Sequence, residues 1–365
     1  MNLFPLLEGK RRPNGLLEIF ALFFLGMLGR VYGLIQEGRL WAYQRTVFST
    51  YTAPCPVISV GNLSAGGTGK TPMVIWLVDY FQKQGRRVAV VSRGYRQRST
   101  QPVTLVANPN GILLWPPQAA DEAVLVALKQ PGVTVLTGSN RKLTIQAAIE
   151  QFSVDLVIMD DAFQHLPVAR QLDLVLLDSH LPLTNGQVLP GGMLREFPHA
   201  LQRCDGLILT RAFDADTLHR TKALLQPIVD DKPVASAIHR PKGWIQLADS
   251  DPSKPTLLPL DALNNCPVLV FCGIAKPDSF RRTIESLDLS IQKFTTFSDH
   301  HPYDERSLQQ LYSEAEEVGA TVLVCTEKDA VKIRGNRFKL PVYALSIELH
   351  FTTSPTWLLE KLRKL

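Results

Sequence analysis

The chain has 365 residues, 45% hydrophobic and 20% charged, a globular composition with room for two domains. Lys plus Arg number 39 against 34 Asp plus Glu, a balance of +5 that is too weak to argue for a nucleic-acid partner. The five cysteines (Cys55, Cys204, Cys266, Cys272, Cys325) form neither a CxxC pair nor a Cys/His metal spacing, which points to buried thiols in a reducing compartment.

From the amino end, Lys10-Arg11-Arg12 precedes an uncharged run, Ile19 to Gly29, closed by Arg30. Its 11 residues would cover only about 16 Å as a helix, against roughly 30 Å of hydrocarbon, so a full crossing is not expected. Beyond it Leu34, Ile35, Trp41, Tyr43 and Phe48 mix with Arg39 and Arg45, a pattern suited to the bilayer interface. The alternative is a helix that simply packs on the core. We therefore expect a membrane-associating segment over residues 1–48.

Val57 to Met73, VISVGNLSAGGTGKTPM, is the stretch around which the rest of the chain is organised. A β-branched run enters a glycine-rich loop, Ser64-Ala65-Gly66-Gly67-Thr68-Gly69, closes on Lys70-Thr71 and opens a helix. That is the order of a phosphate-binding P-loop, in which backbone N–H groups and a helix N-terminus surround phosphate oxygens. Lys70 is placed to reach the β/γ-phosphates, and the Thr71 hydroxyl to ligate Mg²⁺. The strict pattern asks for Gly where Ser64 stands, so the loop reads as a variant.

Short apolar strands then alternate with helical stretches: Val88–Val91, Val133–Leu136, Leu156–Met159, Leu174–Leu177 and Gly206–Thr210. This predicts an α/β fold with a doubly wound, mostly parallel sheet whose polar loops gather at one edge. Ser92-Arg93-Gly94-Tyr95-Arg96 is one such loop. Asp121-Glu122 opens a helix, where two carboxylates also suit the helix dipole. Asp160-Asp161 ends a strand in the manner of a Walker-B motif that holds Mg²⁺ directly or through water. Residues 230–243 read as a connection, Asp249–Pro259 as a proline-rich loop, and a second, smaller α/β domain restarts at Val268. The expected division is thus 1–48, 49–230 and 231–365. Thr326-Glu327-Lys328-Asp329 is only superficially like a guanine-reading motif.

Taken together, GNLSAGGTGKTP, SRGY, ADEA, DDAFQH, GGMLRE with its following proline, SDHHPY and TEKDA stand in an order that resembles the tetraacyldisaccharide 4'-kinases, the lipid A 4'-kinases. Ala120 and Ala123 stand where Gly and Pro are more usual. The resemblance implies ATP- and Mg²⁺-dependent phosphorylation of the 4'-hydroxyl of a tetraacyl disaccharide 1-phosphate, at the cytoplasmic face of a bacterial inner membrane. The lipid A precursor and the membrane surface are then the partners, with no obligate protein partner inferred. It assigns Asp121 as general base and His300 as its partner from the other domain. Ser64 to Thr71 would bind ATP. Thr71, Glu122, Asp160 and Asp161 would serve the metal, and Arg141, Gln164, His165, Arg195 and Glu196 the lipid substrate. The competing readings are a soluble P-loop kinase or ligase acting on a small metabolite, and a membrane-peripheral NTPase switch.

Overall fold

The computed structural model describes residues 3–247, 256–333 and 338–365. In chain order the amino-terminal half carries α1 (Phe4–Leu7), α2 (Leu16–Gln44), β1 (Val57–Asn62), α3 (Lys70–Gln82), β2 (Val88–Ser92), β3 (Thr104–Asn108), β4 (Gly111–Ile112), α4 (Asp121–Lys129), β5 (Thr134–Thr137), α5 (Arg141–Phe152), β6 (Leu156–Asp160) and β7 (Leu172–Asp178). After a 3₁₀ turn, Pro198–Arg203, come β8 (Gly206–Thr210), α6 (Ala215–Val229), β9 (Val234–Gln246), β10 (Leu257–Leu258), β11 (Pro267–Cys272), α7 (Pro277–Glu285), β12 (Ser290–Thr296), α8 (Glu305–Val318), β13 (Val322–Thr326), α9 (Glu327–Ile333), β14 (Val342–Phe351) and α10 (Thr356–Leu362).

These elements form two compact units, each discontinuous in sequence. Residues 1–77, 141–239 and 349–365 make the first, and 78–140 with 240–348 the second. The units cut across the sequence boundaries expected at 48/49 and 230/231. In particular, Asp121 groups with residues of the carboxyl-terminal third.

In the first unit β1 lies between β6 and β7, both parallel to it, with Val60 opposite Asp160 and Asn62 opposite Leu176. β8 continues the parallel order beyond β7, and Val234–Ala237 of β9 follows. All six residues of β1 are buried, as unbroken apolar runs require when both sheet faces are covered. The register brings the carboxyl ends of β1, β6, β7 and β8 to one edge. In the second unit β11 is flanked by β12 and β13 in parallel, and β13 by β14. Leu269 and Phe271 pack into one core, Val268, Val270 and Cys272 into another, so this sheet is covered on both faces as well. β2 pairs in parallel with β5, and β3 runs antiparallel to β5 and to β4.

One expectation changes. Residues 230–243 are not a plain connection, because most of them belong to β9. Its middle, residues 238–242, is partly exposed between two buried stretches, and Pro241 and Gly243 mask the strand signal. The proline-rich loop expected over 249–259 falls, in its 249–255 portion, outside the described residues.

The apolar amino-terminal helix is 29 residues long, well beyond the 11-residue run. Its most apolar 18-residue window has a mean hydropathy of 1.7 and is only 11% buried, which by length and composition would suffice to cross a membrane. Glycines on one face bring it against the first unit. A Cβ at Gly29 would collide with the Val188 carbonyl and one at Gly33 with the Phe197 ring, while Gly191 lies against Gly26. On the near side of the helix, Gly9 approaches Thr184 and Asn185. Both flanks of the apolar run therefore touch the same loop, residues 184–191. Lower down, Glu37 pairs with His199, and Arg39 donates to the Gln164 carbonyl.

Candidate active site

The first unit contributes the phosphate loop. Gly66 and Gly69 have φ of +125° and +89°, conformations that a β-carbon disfavours. The loop entry is stitched to residues 193–195: the Ala65 N–H donates to the Met193 carbonyl and the Arg195 N–H to the Leu63 carbonyl. α3 starts at Lys70, so Lys70 and Thr71 occupy its first turn.

Beside the loop, β6 ends in Asp160, buried, and the chain then turns at Asp161 with φ of +50°. Lys70 Nζ lies 3.4 Å from Asp161 Oδ1, and Arg195 donates to both Asp161 oxygens at 2.9 and 3.0 Å. Burial works to raise the Asp161 carboxyl, but Lys70 and Arg195 outweigh it and hold it down at about 2. Asp161 is therefore an anion in contact with the P-loop lysine. Arg195 also reaches Gln164 Oε1, whose amide nitrogen donates to the Asn62 carbonyl. Arg141, buried at the start of α5, donates to the Asp160 and Asp161 carbonyls and approaches His165 Nδ1 at 3.5 Å. Arg195, Gln164, Arg141 and His165 thus sit around one Asp160–Asp161 turn.

Glu196 is the exception. Its two oxygens take a fork from Arg203 at 2.6 and 2.7 Å, and Arg203 also holds the Phe163 carbonyl and lies over the Phe163 ring. Arg195 and Glu196, adjacent in sequence, serve different neighbours.

The second unit contributes a separate charged cluster. Asp121, buried at the start of α4, accepts from His300 Nδ1 at 2.9 Å. His300 Nε2 is 3.8 Å from Glu122, and Glu122 takes a 2.7 Å bond from Lys328. Tyr95 meets the His300 ring edge-on at 5.5 Å, and Arg96 donates to the Asp299 carbonyl. Burial tends to raise the Asp121 carboxyl. The His300 bond and the Lys328 charge prevail and hold it far below the usual range. His300 is raised in turn, chiefly by its bond to Asp121. Burial opposes the Lys328 charge, yet Glu122 and Asp121 keep that ammonium above the usual lysine range.

Asp121 and His300 are 179 residues apart in the chain, but they belong to one compact unit. Lys328 and Tyr95 join this cluster without having been singled out by residue type; the SRGY and TEKDA stretches were the only signal for them. The neighbouring His301 has a structural place, hydrogen-bonded to Ser307 at 2.7 Å and stacked on Phe297. Asp329, fully buried, accepts from Tyr303, Thr326, Lys332 and the Gly273 N–H, so it is a framework acceptor of this unit.

The His300–Asp121 bond carries a pH signature in stability. His300, with its folded value raised, contributes fully below the unfolded value of about 6.5 and loses its contribution as pH rises through the folded one. Asp121, with its folded value depressed, contributes fully above about 3.9 and loses its share as pH falls through the folded one. His300→Asn, which tolerates the φ of +58° at that position, is expected to lower the melting temperature most between about pH 4 and 6.5. A melting difference that stays constant from acid to alkaline pH would show that the pair is not coupled.

The sequence profile described as tetraacyldisaccharide-1-P 4'-kinase matches residues 21–364. The tetraacyldisaccharide 4'-kinase of Syntrophus aciditrophicus is 40% identical over 92% of this chain and 88% of its own length. That of Desulfatibacillum aliphaticivorans is 39% identical over 90% and 88%. The crystal structure of LpxK from Aquifex aeolicus in complex with ATP superposes with a TM-score of 0.75 at 26% identity, covering 94% of this chain and 98% of that one. P-loop, acidic turn and Asp–His pair are thus set in a chain alike in sequence and fold along nearly its whole length. The chain belongs to the tetraacyldisaccharide-1-P 4'-kinase family.

Proposed function

We propose that the protein transfers the γ-phosphate of ATP to the 4'-hydroxyl of a tetraacylated glucosamine disaccharide 1-phosphate. The observation that carries this reading is the Asp121–His300 bond. A nucleotide-hydrolysing switch has no need of a basic dyad for an acceptor hydroxyl, whereas a kinase does.

Residues Ser64 to Thr71 cradle the triphosphate, with Lys70 neutralising charge at the β/γ-phosphates. The donor set around the loop fits Mg²⁺: the Thr71 hydroxyl and the Asp160 and Asp161 carboxylates are all hard oxygen ligands, and the Glu122 carboxylate of the second unit is of the same kind. Held by these residues, a magnesium ion would supply screening of the negative charge on the phosphates. Arg195 and Lys70 hold Asp161 ionised for that purpose. Asp121 takes the proton of the acceptor hydroxyl, and His300, through its bond to Asp121, fixes the orientation of the carboxylate. Arg141, Gln164, His165 and Arg195 hold the anionic disaccharide, with Glu196 acting through Arg203 and the Phe163 turn.

α2 gives access to a substrate whose acyl chains remain in the bilayer. Because Gly9 and Gly29 both meet loop 184–191, the two ends of the apolar run lie on the same side. We infer a peripheral or monotopic attachment, with the catalytic body at the cytoplasmic face of the inner membrane. The division of labour we propose follows the compact units rather than the boundary at 230/231.

Labelled ATP with Mg²⁺, incubated with and without the tetraacyl disaccharide 1-phosphate, is expected to give a labelled lipid only when the acceptor is present. Phosphate release independent of acceptor would favour the switch, and transfer to a water-soluble acceptor alone would favour a soluble kinase.

A further inference from the structure

The rear of the phosphate loop is held in a way that no motif announces. Three successive carbonyls each accept from a different side chain. Asn62 Nδ2 donates to Gly66 O at 3.2 Å, Arg211 to Gly67 O at 3.0 Å, and Thr210 Oγ1 to Thr68 O at 2.9 Å, with Leu177 O a longer acceptor for the same hydroxyl at 3.2 Å. Arg211 is itself held by Asp178 at 2.7 Å, within a buried pair at the ends of β7 and β8.

A trans peptide is planar, so the carbonyl of one residue points opposite to the N–H of the next. Holding Gly66 O therefore directs the Gly67 N–H to the other side of the loop. Gly67 O does the same for the Thr68 N–H, and Thr68 O for the Gly69 N–H. Among the described residues, no backbone carbonyl accepts from these three N–H groups. Carbonyls tied to the rear and amides left to the front are what an anion requires.

Behind Gly69 the space is closed. A β-carbon there would lie 2.6 Å from His239 Nε2. Burial, and then the neighbouring Arg211 charge, push His239 down to about 4, so it remains neutral at physiological pH. His239 therefore adds no second cation behind the loop to draw the phosphates away from its amides.

We propose that Asn62, Thr210 and Arg211 are positioning residues for the triphosphate, fixing the direction of the Gly67, Thr68 and Gly69 amides, with Asp178 holding Arg211. This rests on the reading of residues 64–71 as the ATP site. The sharpest test is Thr210→Val, which keeps the side-chain shape and removes the donor, set beside Thr210→Ser, which keeps the donor.

With the full-length protein, Thr210→Val is expected to weaken binding of both ATP and inorganic triphosphate by about 10- to 100-fold, the worth of the one hydrogen bond that a misdirected Gly69 N–H no longer gives the charged phosphates. The KM for ATP should rise in step while the KM for the lipid acceptor is unmoved, and Thr210→Ser should remain near wild type. Arg211→Met should act in the same sense. A Thr210→Val protein that melts earlier but binds inorganic triphosphate as tightly as wild type would overturn the proposal and leave the ATP site standing. Wild-type protein that bound no triphosphate would instead refute the ATP-site reading, and the proposal with it.

Discussion

Asp121→Asn is expected to cut turnover by about 10²- to 10⁴-fold, the usual worth of a general base, with ATP affinity nearly unchanged. The substitution keeps the side-chain volume, and its amide oxygen can still accept from His300 Nδ1, 2.9 Å away in the native pair. What it removes is the capacity to take a proton. Asp121 is held far below the ordinary carboxylate range, so it is fully ionised at neutral pH. A carboxylate this stabilised is a weak base towards water, which limits futile proton uptake. It becomes effective when phosphoryl transfer has already made the acceptor oxygen acidic. The Lys328 ammonium, bonded to Glu122 at 2.7 Å, adds to the positive field that keeps Asp121 ionised. Steady-state kinetics beside direct ATP binding checks the prediction. Turnover within a factor of a few of wild type would remove Asp121 from the base role.

That cluster also shows which parts of the molecule were legible in the sequence. Motifs whose members lie within a dozen residues could be read directly. The glycine loop with Lys70-Thr71 and the Asp160-Asp161 strand end occur where the residue pattern places them. Groups that meet only through the fold could not be. Lys328 reaches Glu122 across 206 residues, and Arg211 reaches Gly67 across 144; nothing local marks that lysine or that arginine as special. Glu196 follows Arg195 in the sequence, yet both its oxygens are taken by an arginine seven residues on. β9 was hidden by Pro241 and Gly243, and α6 by Pro227 within its last turns. The length of α2 was missed for a related reason. Arg30, Glu37 and Arg39 interrupt the apolar run without interrupting helical geometry, and Gly26, Gly29 and Gly33 serve close packing rather than a turn.

Phe20→Glu combined with Phe24→Glu is expected to release the protein from membranes by about 10²- to 10⁴-fold in partition coefficient. Phe20, Phe23, Phe24, Met27, Val31 and Leu34 are all exposed on α2, an apolar area that monomeric soluble proteins rarely leave to water. Burying each phenylalanine is worth roughly 1.5–3 kcal/mol, so losing two forfeits about 3–6 kcal/mol before the cost of two charges. At about 1.4 kcal/mol per decade this gives the stated range. Gly26, Gly29 and Gly33 hold the opposite face against residues 187–197, and neither phenylalanine is part of that contact. Thermal stability should therefore stay nearly unchanged, as for other exposed substitutions. Sedimentation with vesicles of phosphatidylethanolamine and phosphatidylglycerol measures the loss directly. Activity on acceptor embedded in the same vesicles should fall with it, while ATP binding in solution should not. If the doubly charged helix still sediments with vesicles as the wild type does, α2 is a packing element of the body, and the lipid must reach the site by another surface.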